Sequence, residues 1–73
     1  MSARCYERAA SVLTELMNER ALSAAEIARR LGIDGGILRK ILSGRQKSIS
    51  TRNLLLLARF FDMELNELID RIS

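Results

Sequence analysis

Apolar residues recur at three- and four-residue spacing along nearly the whole chain, and short polar residues and glycines interrupt them at intervals. Tyr6, Ala9, Ala10, Leu13, Leu16 and Met17 draw one stripe, which predicts a helix from about Ala3 to Arg20 with the stripe in the core. The next boundary is the sharpest. Ser23-Ala24-Ala25-Glu26 reads as a capping box, in which the serine oxygen takes the Glu26 amide and the Glu26 carboxylate returns to the Ser23 amide; Leu22 and Ile27 form the flanking hydrophobic staple. A second helix therefore starts at Ala24, with Ile27, Ala28 and Leu31 inward and Arg29 and Arg30 outward. Gly32 stands where a left-handed C-terminal residue is wanted.

After the turn Gly32-Ile33-Asp34, Asp34 can cap a third helix from about Gly35 to Ser43, closed by Gly44. Leu38, Ile41 and Leu42 point inward on it, and Arg39 and Lys40 outward. Two short helices joined by a glycine-containing turn are the signature of a helix-turn-helix. Beyond the polar, basic loop Arg45-Gln46-Lys47-Ser48, Ser50 caps a fourth helix, Thr51 to Phe61, with Ile49 and Leu54 as a second staple. Asp62-Met63-Glu64 is a break, and Leu65, Leu68, Ile69 and Ile72 stripe a final short helix. The predicted fold is all-α.

Composition narrows the function. Seventy-three residues, 48% hydrophobic and 29% charged, predict one globular domain spanning 1–73. The longest apolar run, Leu54 to Ala58, is five residues, against the roughly 20 that a membrane-spanning helix needs. Arg4, Glu7 and Arg8 interrupt any signal-peptide-like stretch, so the expected location is the cytoplasm. Cys5 has no second cysteine to pair with, and the chain has no histidine to activate it. It reads as a buried small hydrophobe or an idle surface thiol. Zinc sites, Cys/His catalysis and phosphate-cradling glycine loops are all missing, so no enzyme activity and no cofactor are expected.

The net charge of +3 is unevenly placed. Residues 1–28 carry −1 and residues 60–73 carry −3, whereas residues 29–59 carry +7, with eight basic residues against Asp34. A polyanion should meet the middle of the chain.

Several stretches carry a resemblance. Leu22 to Ile33, Leu38 to Gly44, Leu54-Leu55-Leu56-Leu57-Ala58 and Leu65-Asn66-Glu67-Leu68-Ile69 together resemble the phage repressor and Cro family of lambda-repressor-like DNA-binding domains, over about residues 10 to 70. The resemblance implies a compact five-helix domain with the helix-turn-helix at helices 2 and 3. It also implies a transcriptional regulator whose third helix enters the major groove of double-stranded DNA, usually as a homodimer on a two-fold operator. Departures are visible. Met17 and Leu42 stand where the family often has a buried arginine–glutamate pair, an exchange that is commonly neutral or stabilising when both partners change together. Ala24 replaces a phosphate-touching glutamine, although amides at that helix start can still face a phosphate.

The recognition helix opens on Gly35, Gly36 and Ile37, where the family places polar base readers. One reading has the backbone approach DNA closely at Gly36, Ile37 touch a thymine methyl, and Arg39 or Lys40 reach guanine. The other has the glycines ease a tight turn and Ile37 serve the core or a protein contact. The phosphate-contacting candidates are Ser23, Arg45, Lys47, Ser48, Ser50, Thr51 and Arg52, against a plain capping role for Ser50 and a solvated Arg52. Asp34 is read as a cap and not as a cytosine reader. Four successive leucines cannot all face one core, so Leu56, Phe60, Met63, Leu65, Ile69 and Ile72 are the candidate dimer seam. A protein-interaction module on the same scaffold, such as an antitoxin or adaptor with a protein partner, is the alternative.

Overall fold

Three side-chain caps set the frame. Ser23, Asp34 and Ser50 each accept the amide three residues on, from Glu26 at 3.2 Å, Ile37 at 3.1 Å and Asn53 at 3.2 Å. They open α2 (Ala24–Leu31), α3 (Gly35–Leu42) and α4 (Thr51–Phe60); α1 (Ala9–Glu19) precedes them and α5 (Leu65–Ile72) follows. The computed structural model describes residues 4–73, and besides the helices it holds two short strands, β1 (Arg4–Cys5) and β2 (Ser48–Ile49). The fold is all-α, with α2, the turn and α3 forming the helix-turn-helix. Gly32 (φ +69°) and Gly44 (φ +81°) take the left-handed conformation that ends α2 and follows α3.

The core draws on every helix. Leu13 of α1, Ile27 of α2, Leu38 and Ile41 of α3, Leu57 of α4, and Leu68 and Ile72 of α5 are fully buried, with Ile49 of β2 between them. Among the described residues no polar or charged side chain is buried. Met17 is buried and Leu42 is half-buried against the core, so apolar packing occupies both positions of the predicted exchange. α1 lies against α3 and α5, α2 against α3, and α4 against α5. The end of α1 is tied to the end of α4: the Arg20 guanidinium sits 5.1 Å from the Phe61 ring centroid and donates to the Phe61 carbonyl at 3.3 Å.

The N-terminal segment departs from the prediction. Helix α1 starts at Ala9, and Arg4–Cys5 pairs antiparallel with Ser48–Ile49 instead of extending the helix. Backbone partners explain the change. The Tyr6 amide donates to the Lys47 carbonyl and the Arg8 amide to the Ile72 carbonyl, each at 2.8 Å, bonds that a helix through these residues would forfeit. Tyr6 is still buried. Ala3, where the helix was expected to begin, lies outside the described residues. Cys5 is exposed, which leaves the surface-thiol reading. Among the described residues no helix is long and apolar enough to cross a membrane.

Candidate nucleic-acid interface

The recognition helix α3 is eight residues long, about 12 Å at 1.5 Å per residue, close to the width of the B-form major groove. Its outer face carries exposed Ile37, Arg39 and Lys40, and it begins with Gly35 and Gly36, both half-buried. Ile37 is 37% exposed and is not part of the buried core. Asp34 holds the start of the helix through the Ile37 amide and is a cap.

The two glycines have different neighbours. A methyl at Gly36 would press on the Asp34 carboxylate oxygen at 3.1 Å. One at Gly35 would meet the Arg39 Nη1 at 3.4 Å and Ala28 Cβ at 3.9 Å. Gly36 therefore makes room for the cap, whereas a methyl at Gly35 would be in ordinary contact with the guanidinium from the next turn.

The loop after α3 is fastened to it. The Lys40 carbonyl accepts the amides of Arg45 at 3.0 Å and Gln46 at 3.1 Å, Arg45 Nε donates to Ser43 Oγ at 3.2 Å, and Gln46 Nε2 donates to the Ser48 carbonyl at 3.0 Å. Arg45 and Lys47 are exposed and Ser48 is half-buried. At the start of α4, Ser50 Oγ serves Asn53, and the first-turn amides of Thr51 and Arg52 have no acceptor within the helix. Ser50, Thr51 and Arg52 are all exposed around them. At α2, Ser23 likewise caps Glu26 and is exposed.

Ion pairing sorts the basic residues. Glu26 does not return to the Ser23 amide as the capping box predicts; its carboxylate instead binds Arg29 at 2.6 Å and Arg30 at 3.0 Å. Two charge-assisted bonds are stronger than one bond to a neutral amide. Lys47 Nζ lies 2.8 Å from Glu7 Oε1, and the hydrogen bond and charge of Glu7 raise the lysine above its ordinary value of 10.5. Among the described residues Arg39, Lys40, Arg45 and Arg52 take part in no ion pair. Arg8, Arg20, Arg59 and Arg71 are also outside these pairs; Arg39, Lys40, Arg45 and Arg52 follow one another along α3, the loop after it and the start of α4. Glu7 is a site residue that the charge count missed, because it is 40 residues from Lys47 in the chain.

The candidate dimer seam is partly revised. Leu56, Phe60, Met63, Leu65 and Ile69 are half-buried at the edge of the core, with room for a second surface. Ile72 is fully buried within its own chain and is removed from the seam. A helical stripe cannot by itself separate a core position from an edge position; the contact of α5 with α1 does so here. Leu55, not among the seam candidates, is 42% exposed and is the outward member of the leucine run.

No curated protein and no solved structure matches the chain. A family model described as helix-turn-helix matches residues 13–68, from the middle of α1 into α5. The stretch contains the capped helix pair, the left-handed glycines and the cations just described. The chain belongs to the helix-turn-helix family of the phage repressor and Cro type, and is a DNA-binding regulator of the helix-turn-helix type.

Proposed function

We propose that the chain is a sequence-specific regulator of transcription, a Cro-like repressor that binds a two-fold operator as a homodimer with α3 in the major groove. It acts as one domain, 1–73, in the cytoplasm, without a cofactor and without enzymatic chemistry. The observation that carries this reading is the run of exposed cations along α3 and the segment that follows, Arg39, Lys40, Arg45 and Arg52, none of which is in an ion pair among the described residues. Base contacts come from α3, through Gly36, Ile37, Arg39 and Lys40. Phosphate contacts come from Ser23, Arg45, Lys47, Ser48, Ser50, Thr51 and Arg52.

Size supports two copies. The longest dimension is 29 Å, while half-sites on a two-fold operator lie about 34–36 Å apart, centre to centre. One chain cannot place a reading helix in both grooves. Leu56, Phe60, Met63, Leu65 and Ile69, with exposed Leu55, supply the apolar face for the second copy.

An electrophoretic shift over a salt series tests the reading. Affinity for duplex DNA should fall steeply, with a log–log slope near −0.9 for each phosphate neutralised. Replacing Arg39 and Lys40 together by Ala should abolish operator preference, whereas Arg45→Ala should weaken all sequences about alike. Absence of salt-dependent binding in the wild type would refute the proposal.

Exposed Ile37 and Leu55 favour a second reading, an adaptor or antitoxin that binds another protein. A chain that is monomeric alone and forms a defined complex with another polypeptide supports that reading.

A further inference from the structure

We infer that Arg39, folded back over a notch left by Gly35, reads a guanine at the start of the recognition helix, and that Gly35 sets specificity by keeping that turn clear of a bulky side chain. The inference rests on the DNA-binding reading above and deepens it.

Side chains on an α-helix lean toward its N-terminus, so residue i+4 covers the surface one turn before it. Position 35 lies one turn before Arg39. Its missing Cβ leaves the guanidinium Nη1 3.4 Å from where that carbon would be. The arginine head is therefore delivered to the first turn of α3, the part of a recognition helix that meets base edges. Glycine in a helix weakens it, and Gly36 already has a separate reason to be small, the Asp34 cap at 3.1 Å.

Charge agrees with the geometry. Arg29 and Arg30 are held by Glu26, and the Asp34 carboxylate accepts the Ile37 amide. Arg39 is exposed and has no carboxylate partner among the described residues. A planar guanidinium with free donors matches the O6 and N7 acceptors of guanine in the major groove, and lysine cannot make that paired contact in the same plane. Lys40 stands one turn beyond Gly36, but no side-chain atom of Lys40 lies within 4 Å of where a Gly36 Cβ would be.

The test selects bound fragments from a random duplex pool with the wild type, R39A, R39K, K40A and G35L, each checked for unchanged helix content by circular dichroism. The wild type should select one strongly preferred guanine in each half-site. R39A should lose that preference, with affinity for the selected site falling about 10- to 100-fold, and R39K should not restore it. Gly35→Leu fills the notch with branched carbons and improves helix propensity; it should lose the same guanine while the other positions keep their preference. A guanine preference that survives R39A, or that disappears in K40A instead, overturns the inference while leaving DNA binding intact. The same holds if G35L selects the wild-type consensus. A wild type that binds no duplex overturns the DNA-binding reading itself.

Discussion

Ala21 and Gly32 face the same backbone demand with different residues. Both follow a helix in the left-handed region, at φ +53° and φ +69°. A Cβ at Gly32 would touch nothing within 4 Å, so the need for glycine there is torsional and not steric. Gly32→Ala should cost about 1 kcal/mol. Ala21→Gly should gain up to about 1 kcal/mol, the relief of strain less the added entropy of the unfolded chain. Urea denaturation measures both, and a loss of stability in Ala21→Gly would contradict the strain argument. Asp34 has a single local task, the Ile37 amide. Asp34→Ala should therefore lower stability by about 1 kcal/mol and leave the selected DNA consensus unchanged.

At the level of elements, helix starts follow from local chemistry and strand pairing does not. Ser23, Asp34 and Ser50 each bond an amide three residues on, so the starts of α2, α3 and α4 can be read from the residues themselves. β1 and β2 are two residues each, joined by backbone bonds that any residue but proline would permit. The three-residue spacing of Tyr6 and Ala9 fits a helix equally well, and only the partner segment decides against it. The pairing brings Glu7 to Lys47. In the proposed complex Glu7 would compete with phosphate for that lysine, while an exposed pair of this kind adds little to stability. Glu7→Gln should tighten duplex binding by roughly 2- to 5-fold and steepen the salt slope by about 0.9 if Lys47 takes up one further phosphate. Unchanged affinity and slope would place Lys47 away from the DNA. The raised titration of Lys47 also has a sign: the pair contributes to folding at neutral pH, and the contribution is lost as pH rises above 10.5.

Across the whole molecule, the core and the proposed seam are separated by burial and not by residue type. Ile72 and Ile69 share one stripe on α5, yet Ile72 is fully buried and Ile69 half-buried. Ile72→Ala should cost about 2–5 kcal/mol of stability. Phe60→Lys, at the edge, should leave helix content near wild type and shift the chain toward monomer in sedimentation equilibrium, with weaker binding to a two-half-site duplex. A Phe60→Lys protein that remains dimeric would move the seam elsewhere. The Phe60 ring stands edge-on to Phe61 at 5.2 Å, and Phe61 in turn carries Arg20, so a modest loss of stability should accompany the change.

The amino-acid order alone determined the caps, the left-handed glycines, the five helical stripes and the basic middle of the chain, because each depends on residues within about one helical turn or on simple charge. It also carried the family resemblance, which the match over residues 13–68 bears out. Competition within one helical turn decided that Glu26 holds Arg29 and Arg30, and tertiary structure alone decided that the first residues form a strand and that Glu7 neutralises Lys47. It likewise decided that Ile72 is core while Leu55 faces outward. These outcomes depend on which distant surfaces meet, or on competition among several local partners, and a pattern along the chain does not rank such alternatives.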